Sequence, residues 1–309
     1  MTHRLTDSPT HRLIFLGTPD FAVPSLNALA KDDCFDIVGV VTQPDRPVGR
    51  KGVITPPPVK VAAQKLGMTT IKQPEKLTDP DFKAWIEEIG PTCDAFIVVA
   101  YGKIFRDWFI ALPKQGLINV HASLLPRWRG ASPINAAIAA GDEKSGVCIM
   151  KITEGMDEGP VYTCAETPIT SNDTGESLHD RLAQLGADLL PDTLLKILEH
   201  QIEAKPQDSS NATYCKTLNR DDGKLDFSKP AAELERLIRA YTPWPGGWMI
   251  HNGKRLKILK ASIQESTDHS PQTLKLLIPC GDGNSLSLDL VQPEGGKVMT
   301  GAEYARGIR

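Results

Sequence analysis

Four short apolar runs constrain this chain more than anything else in its sequence: Leu13-Ile14-Phe15-Leu16, Ile37 to Val41, Ala95 to Ala100, and Leu117-Ile118-Asn119-Val120. They lack the polar–apolar alternation of a strand with one wet face, so both faces of each are expected to be buried. Between them lie stretches with apolar residues at helical spacing: Phe21 to Ala30, Val59 to Leu66 and Phe82 to Ile89. Buried strands alternating with helices imply an α/β fold built on a mostly parallel sheet. Such sheets place ligands at the carboxyl ends of their strands. The residues that close each run are therefore the first place to look for chemistry.

Further along, Val147 to Ile152 and Val161 to Cys164 lie close together and are expected to pair antiparallel at one side of the sheet. Ser177 to His200 reads as a long helix that Pro191 kinks or interrupts. The polar segment Gln201 to Ser210 reads as a linker. A chain of 309 residues suggests two domains, here drawn as 1–205 and 218–309 around a linker over 206–217. Ala231 to Ala240 is one more helix. Beyond Trp248, short alternating runs (Leu256 to Leu259, Leu274 to Ile278, Leu286 to Leu290) suggest a small β-barrel or sandwich.

Composition removes several classes of function. A formal net charge of −3 argues against a globally basic nucleic-acid binder, although it leaves local patches open. No stretch approaches the roughly 20 apolar residues of a membrane helix. The polar opening Met1-Thr2-His3-Arg4 lacks the apolar core of a secretory signal. Cys34, Cys93, Cys148, Cys164, Cys215 and Cys280 form no C-x-x-C pair, so reduced thiols in a cytoplasmic protein are expected, with neither disulfide nor zinc site. Neither a membrane partner nor a metal is expected, and the chain is expected to act as a monomer.

Three segments carry candidate chemistry. The turn Gly17-Thr18-Pro19-Asp20-Phe21 invites a dinucleotide reading, but it lacks the second and third glycines of that fingerprint. The richest segment is Asn119 to Gly130. Asn119 and His121 stand two apart at the end of an apolar strand, so both project to the same side. Asn supplies an uncharged donor to a developing oxyanion, and His takes or gives a proton near neutral pH. The same spacing also fits a structural His satisfied by backbone. The third segment, Ile152 to Pro160, is an acidic, glycine-bearing loop between the two paired strands, from which an acid could orient the His. Asp and Gly also suit such a loop for turn reasons alone.

Asn119, the run His121-Ala122-Ser123-Leu124-Leu125-Pro126, and Asp157 between Gly155-Met156 and Gly159 resemble the active-site signature of the folate-dependent formyltransferases. The resemblance covers nearly the whole chain. It includes Phe15 to Ala22, Thr42-Gln43-Pro44-Asp45-Arg46, Val98 to Gly102, Ala131-Ser132-Pro133-Ile134 and Thr242-Pro243-Trp244-Pro245-Gly246. Within the family it is nearest to the branch acting on charged initiator tRNA. It implies a Rossmann-like formyltransferase domain followed by a small OB-like β-barrel that binds tRNA. It also implies formyl transfer from 10-formyltetrahydrofolate to the α-amino group of methionine on initiator tRNA, for translation initiation. The catalytic residues would be Asn119, donating to the formyl oxygen, His121, stabilising it and handling protons, and Asp157, fixing the imidazole. The split of acid and base between His121 and Asp157 stays open. Ser123, Leu124, Leu125 and Pro126 would shape the folate cleft. No metal is implied.

Two basic patches are candidates for the tRNA. Between Gln43 and Lys60, Arg46, Arg50, Lys51 and Lys60 face a single acid, Asp45, in a proline-studded loop. A basic loop leaving a rigid sheet end suits a phosphate clamp. The resemblance points to Arg46, Arg50 and Lys51 as contacts. Lys254, Arg255, Lys257 and Lys260 form a second cluster, from which Lys254 and Lys257 are taken as candidates; their strand register is open. Arg127 and Arg129 around Trp128 fit phosphate contact or base stacking, or a solvated turn. Competing readings are a formyltransferase for a small amine, disfavoured by the basic loop and the extra domain, and a non-catalytic RNA-binding protein, disfavoured by the intact Asn119, His121 and Asp157.

Overall fold

The computed structural model describes residues 10–49, 51–265 and 275–307. The first ten strands are β1 (His11–Gly17), β2 (Phe35–Val41), β3 (Arg46–Val48), β4 (Val53–Thr55), β5 (Ile71–Lys72), β6 (Ala95–Val99), β7 (Leu117–His121), β8 (Arg129–Gly130), β9 (Lys144–Lys151) and β10 (Val161–Pro168). Seven of them form one sheet in the order β10-β9-β7-β6-β1-β2-β5. The pairs β1–β2, β1–β6, β2–β5 and β6–β7 are parallel, whereas β7 and β9 run antiparallel. All residues of β6 and β7 are buried, as expected for strands covered on both faces. The helices α1 (Val23–Ala30), α2 (Pro58–Lys65), α3 (Pro80–Ile89), α4 (Asp107–Ile110), α5 (Pro133–Ala140) and α6 (Gly175–Leu198) fall between and after these strands. On one face of the sheet, Phe82 and Ile86 of α3 and Phe109 of α4 join Ile14, Phe96 and Leu117 in a single core.

Chain contacts divide the protein into two compact units. The first comprises the residues up to Arg129 together with Gly146–Glu166 and Asp180–Thr213. The second comprises Gly130–Ser145, Thr167–His179 and everything from Tyr214 onward. In the second unit β11 (Tyr214–Cys215) and α7 (Ala231–Ala240) precede a five-stranded antiparallel sheet. Its strands are β12 (Gly247–His251), β13 (Lys254–Gln264), β14 (Leu277–Pro279), β15 (Ser285–Pro293) and β16 (Met299–Thr300), followed by α8 (Gly301–Gly307). The register of β13 against β15 shifts around Lys260, and the sheet curls into a half-barrel. Leu234 and Ile238 of α7 fill it with Leu256, Ile258, Leu286 and Val291.

The structure departs from the sequence reading at several points. The proline-studded segment is not all loop: β3 and β4 pair antiparallel as a short hairpin. The long helix α6 runs on through Pro191 without interruption. Leu274, where a late strand was expected to begin, lies outside the described residues. The expectation of six reduced cysteines is corrected, because Cys148 and Cys164 form a disulfide. They occupy neighbouring strands β9 and β10 with Cα atoms 4.1 Å apart, a juxtaposition that spacing along the chain does not reveal. No helix among the described residues is long and apolar enough to cross a membrane.

Candidate active site

Strand β7 ends on His121, beside the carboxyl end of its parallel neighbour β6. Asn119 and His121 share one face of it by the two-residue period of a strand. They are only 9% and 6% exposed. Among the described residues the Asn119 carboxamide makes no hydrogen bond, so a buried-strand donor is left available to a ligand oxygen. The His121 ring is held on both sides: Nε2 lies 3.1 Å from the Trp128 carbonyl, and Nδ1 lies 3.7 Å from Asp157 Oδ1. A backbone carbonyl only accepts, so Nε2 carries a proton and donates to it. Nδ1 is therefore the ring nitrogen left facing the Asp157 carboxylate.

The loop after β7 is organised by its own polar groups. Ser123 is buried, and its Oγ donates to the Arg127 carbonyl at 2.6 Å, so this hydroxyl shapes the loop. The Leu124 side chain packs on β9 at Gly146. Leu125 and Pro126 are half-buried and joined by a cis peptide bond. Trp128 has φ +59°, and its N–H donates to Thr213 Oγ1 at 2.9 Å. The two arginines flanking it have different fates. Arg127 is exposed and stacks over the Trp128 ring at 4.4 Å. Arg129 is 1% exposed, and its guanidinium donates to Gln207 Oε1 at 3.0 Å and Ser209 Oγ at 3.3 Å, so it points inward rather than to an external phosphate.

Asp157 sits in the loop between β9 and β10 with φ +52°, a conformation unusual for a residue with a side chain. Gln207 Nε2 donates to the carbonyls of Asp157 and Gly159 at 2.8 and 2.7 Å. Earlier in the same loop, a hydrogen bond with Asp107 and that residue's negative charge push the Glu154 carboxyl above its ordinary range. A cleft of about 330 Å³ opens elsewhere in the first unit, lined in part by Lys76, Lys103, Ile104, Arg106 and Trp108. Lys103 donates to the backbone carbonyls of Pro74 and Glu75, and burial lowers its pKa. No group of three or more His, Cys, Asp or Glu among the described residues is arranged to hold a metal.

The basic candidates are distributed as follows. Arg46, at the root of the β3–β4 hairpin, pairs with Glu75 at 2.5 Å, and both are exposed. Asp45 beside it is held below the usual carboxylate range by hydrogen bonds from Gln73 and Lys60. Lys51 is exposed at the hairpin tip, near the exposed Val48, Val53 and Ile54. Arg50 lies outside the described residues. In the second unit Lys257 pairs across the sheet with Trp248, and its Nζ donates to the Pro243 carbonyl at 3.3 Å. Arg255 stacks on Trp248 at 4.0 Å and shares a face with Lys257, whereas Lys254 lies one position off that alternation, at the exposed start of the strand.

Two groups in the first unit carry no signal in the sequence. Gln207 and Thr213 belong to the segment read as linker, and nothing in their residue types marks them. The cationic lining of the Lys103 cleft was equally silent, because Lys76, Lys103 and Arg106 meet only through the fold.

Residues 11–194 match the formyl transferase model, and residues 217–309 match the C-terminal domain model of the same family. The chain belongs to the formyl transferase family. It is 42% identical to the methionyl-tRNA formyltransferase of Myxococcus xanthus over 304 residues, covering 96% of this chain and 95% of the relative. It is 43% identical to that of Xanthomonas euvesicatoria pv. vesicatoria over 307 residues, covering 96% and 98%. Among solved structures, an N-formyltransferase from Helicobacter canadensis in complex with folinic acid and dTDP-3-aminofucose has the same fold. Its TM-score is 0.67 at 20% identity, covering 90% of this chain and 99% of that one.

Proposed function

We propose that this chain transfers a formyl group from 10-formyltetrahydrofolate to the α-amino group of methionine on initiator tRNA, for translation initiation. The observation that carries the reading is the Asn119 carboxamide, which makes no hydrogen bond among the described residues, on the same strand face as His121, which pairs with Asp157. It occurs in a chain similar to methionyl-tRNA formyltransferases over 96% of its length.

The residues divide the work by their chemistry. Attack of a neutral amine on the formyl carbon places negative charge on the formyl oxygen. Asn119 donates a hydrogen bond to that oxygen, and a preorganised donor of this kind is worth about 3–4 kcal/mol in the transition state. His121, with Nε2 committed to the Trp128 carbonyl, adds positive charge and moves protons at Nδ1. Asp157, facing Nδ1, stabilises the imidazolium and takes part in carrying the amine proton toward the departing folate nitrogen. Ser123, Leu124, Leu125 and Pro126 act on the folate through the shape of their loop. Arg46 and Lys51 of the hairpin, Arg50 next to Lys51 in sequence, and Lys254 and Lys257 of the second unit are the proposed tRNA contacts. Arg46 would exchange its exposed, weakly held Glu75 for phosphate. In this reading 1–205 carries the chemistry, 206–217 links, and 218–309 holds RNA.

The test is formylation of methionyl initiator tRNA, run beside small amine acceptors. Asn119→Ala, His121→Ala and Asp157→Ala are each expected to lose most turnover, about 10²–10³-fold for Asn119, while circular dichroism stays native. Near-native turnover in His121→Ala would remove the catalytic assignment.

A further inference from the structure

Gln207 makes hydrogen bonds in three directions, and their chemistry leaves one orientation for its carboxamide. Its Nε2 faces two carbonyls, those of Asp157 and Gly159, which only accept. Its Oε1 faces Arg129 Nε, which only donates. The two hydrogens of one amide nitrogen thus grip the backbone on either side of Glu158. The chain around Gln207 is held in turn. Lys205 and Val161 exchange both backbone hydrogen bonds at 2.8 Å, Thr213 N–H donates to the Pro126 carbonyl, and Thr213 accepts from the N–H groups of Trp128 and Arg129. This strap therefore touches both loops that hold His121. One supplies the Trp128 carbonyl to Nε2, and the other supplies Asp157 to Nδ1.

From this geometry we infer that Gln207 is a positioning residue that fixes Asp157 against His121 by donating to the Asp157 and Gly159 carbonyls, with Arg129 locking the amide orientation. The inference rests on the catalytic reading of Asp157 given above. Asp157 needs such a hold. Asp enters the left-handed region more readily than most residues with a side chain, yet that conformation still costs free energy that its surroundings offset. The Asp157 carboxylate is 22% exposed against 7% for the His121 ring, so packing fixes it less than it fixes its partner.

Two substitutions separate positioning from general support. Gln207→Ala removes all three bonds. Gln207→Glu keeps an acceptor for Arg129, with a full charge, but presents oxygen where the two carbonyls need a donor. Both are to be measured as full-length protein for kcat, for KM toward methionyl initiator tRNA and 10-formyltetrahydrofolate, and for melting temperature. The expected result is that kcat falls about tenfold or more in both variants while each KM stays within about twofold. Gln207→Glu is expected to remain as slow as Gln207→Ala although it keeps its acceptor for Arg129. Recovery of wild-type kcat in Gln207→Glu would assign Gln207 to Arg129 alone and overturn the inference. Unchanged kcat in Gln207→Ala, or a loss confined to KM, overturns it as well. Wild type and His121→Ala run alongside. If the wild type fails to formylate the tRNA, the catalytic reading falls and takes this one with it. If the wild type is active, His121→Ala is inactive and the Gln207 variants match the wild type, only the positioning role falls.

Discussion

Gly159→Ala tests how finely the Asp157 loop is set. Gly159 is buried where the loop returns alongside the end of β9. A Cβ at this position would lie 3.0 Å from the Lys151 carbonyl carbon, closer still to its oxygen, and 3.3 Å from Met150 Cε. The contact with the Lys151 carbonyl oxygen is the tightest and falls well short of ordinary van der Waals separation, so one side must retreat by about 1–1.5 Å. It cannot be β9, because Lys151 is in register with Ile118 of β7 and Met150 with Asn119. The loop must move instead, carrying Asp157 away from His121 and straining the Gln207 bond to the Gly159 carbonyl. A displacement of about 1 Å at a reacting group costs about 10²-fold in rate. That corresponds to about 2.7 kcal/mol of activation free energy. Overpacking adds about 1–3 kcal/mol of instability, each lowering the melting temperature by a few degrees. Steady-state formylation at saturating donor, with scanning calorimetry on the same samples, reads both. Gly155→Ala is the comparison, since the atoms nearest its Cβ (Oε1, Cδ and Cγ) all belong to the exposed, flexible Glu158 side chain, which can swing aside; its loss of kcat should be several-fold smaller. A Gly159→Ala enzyme with kcat within about twofold of wild type and an unchanged melting temperature would refute the reasoning, as would equal losses at the two glycines.

Two further outcomes follow from charge. If the β3–β4 hairpin holds tRNA phosphate, the logarithm of affinity falls linearly with the logarithm of salt. Lys51→Ala should then reduce that slope by about one unit, whereas an unchanged slope in a filter-binding titration removes the contact. The second concerns Glu154, whose carboxyl is raised in the folded protein by its hydrogen bond with Asp107 and that residue's charge. A raised folded-state pKa stabilises below the ordinary carboxylate pKa, and the contribution is lost as pH rises through the raised value. Glu154→Gln should therefore flatten the decline in melting temperature across that interval, and a variant whose pH profile overlays the wild type refutes the pairing.

The parts of this fold legible in the sequence are those where one local rule decides. Ala95 to Ala100 and Leu117 to Val120 are strands because unbroken apolar runs need cover on both faces, and they stand side by side in the sheet. Asn119 and His121 share a face because a strand repeats every two residues. Other features depend on which distant segments meet. Cys148 and Cys164 are two unremarkable apolar-run cysteines until β9 and β10 lie together. Beside Trp128 and Arg127, Arg129 reads as a phosphate or stacking contact or as part of a solvated turn, yet the fold turns it inward to Gln207 and Ser209. Gln207 itself lies in a polar stretch whose composition is that of a linker. No local rule separates a polar residue facing water from one whose partners sit 48 and 50 positions away.

The site therefore joins two kinds of positional control. Asn119 and His121 are placed by β7, which is buried along its whole length and hydrogen-bonded to β6 on one side and β9 on the other. Moving either means disturbing the middle of the sheet. Asp157 has no such support. It stands on an irregular loop, at a backbone angle that costs about 1–3 kcal/mol unless opposed. Its distance from Nδ1 is set by side-chain bonds from another part of the chain. Substitutions away from the reacting groups should then be unequal in their effects. Those that loosen the holders of Asp157 act on turnover with little loss of fold, because the loop contributes little to the core. Those that disturb the neighbours of Asn119 and His121 act on stability first, because the strand cannot yield without the sheet.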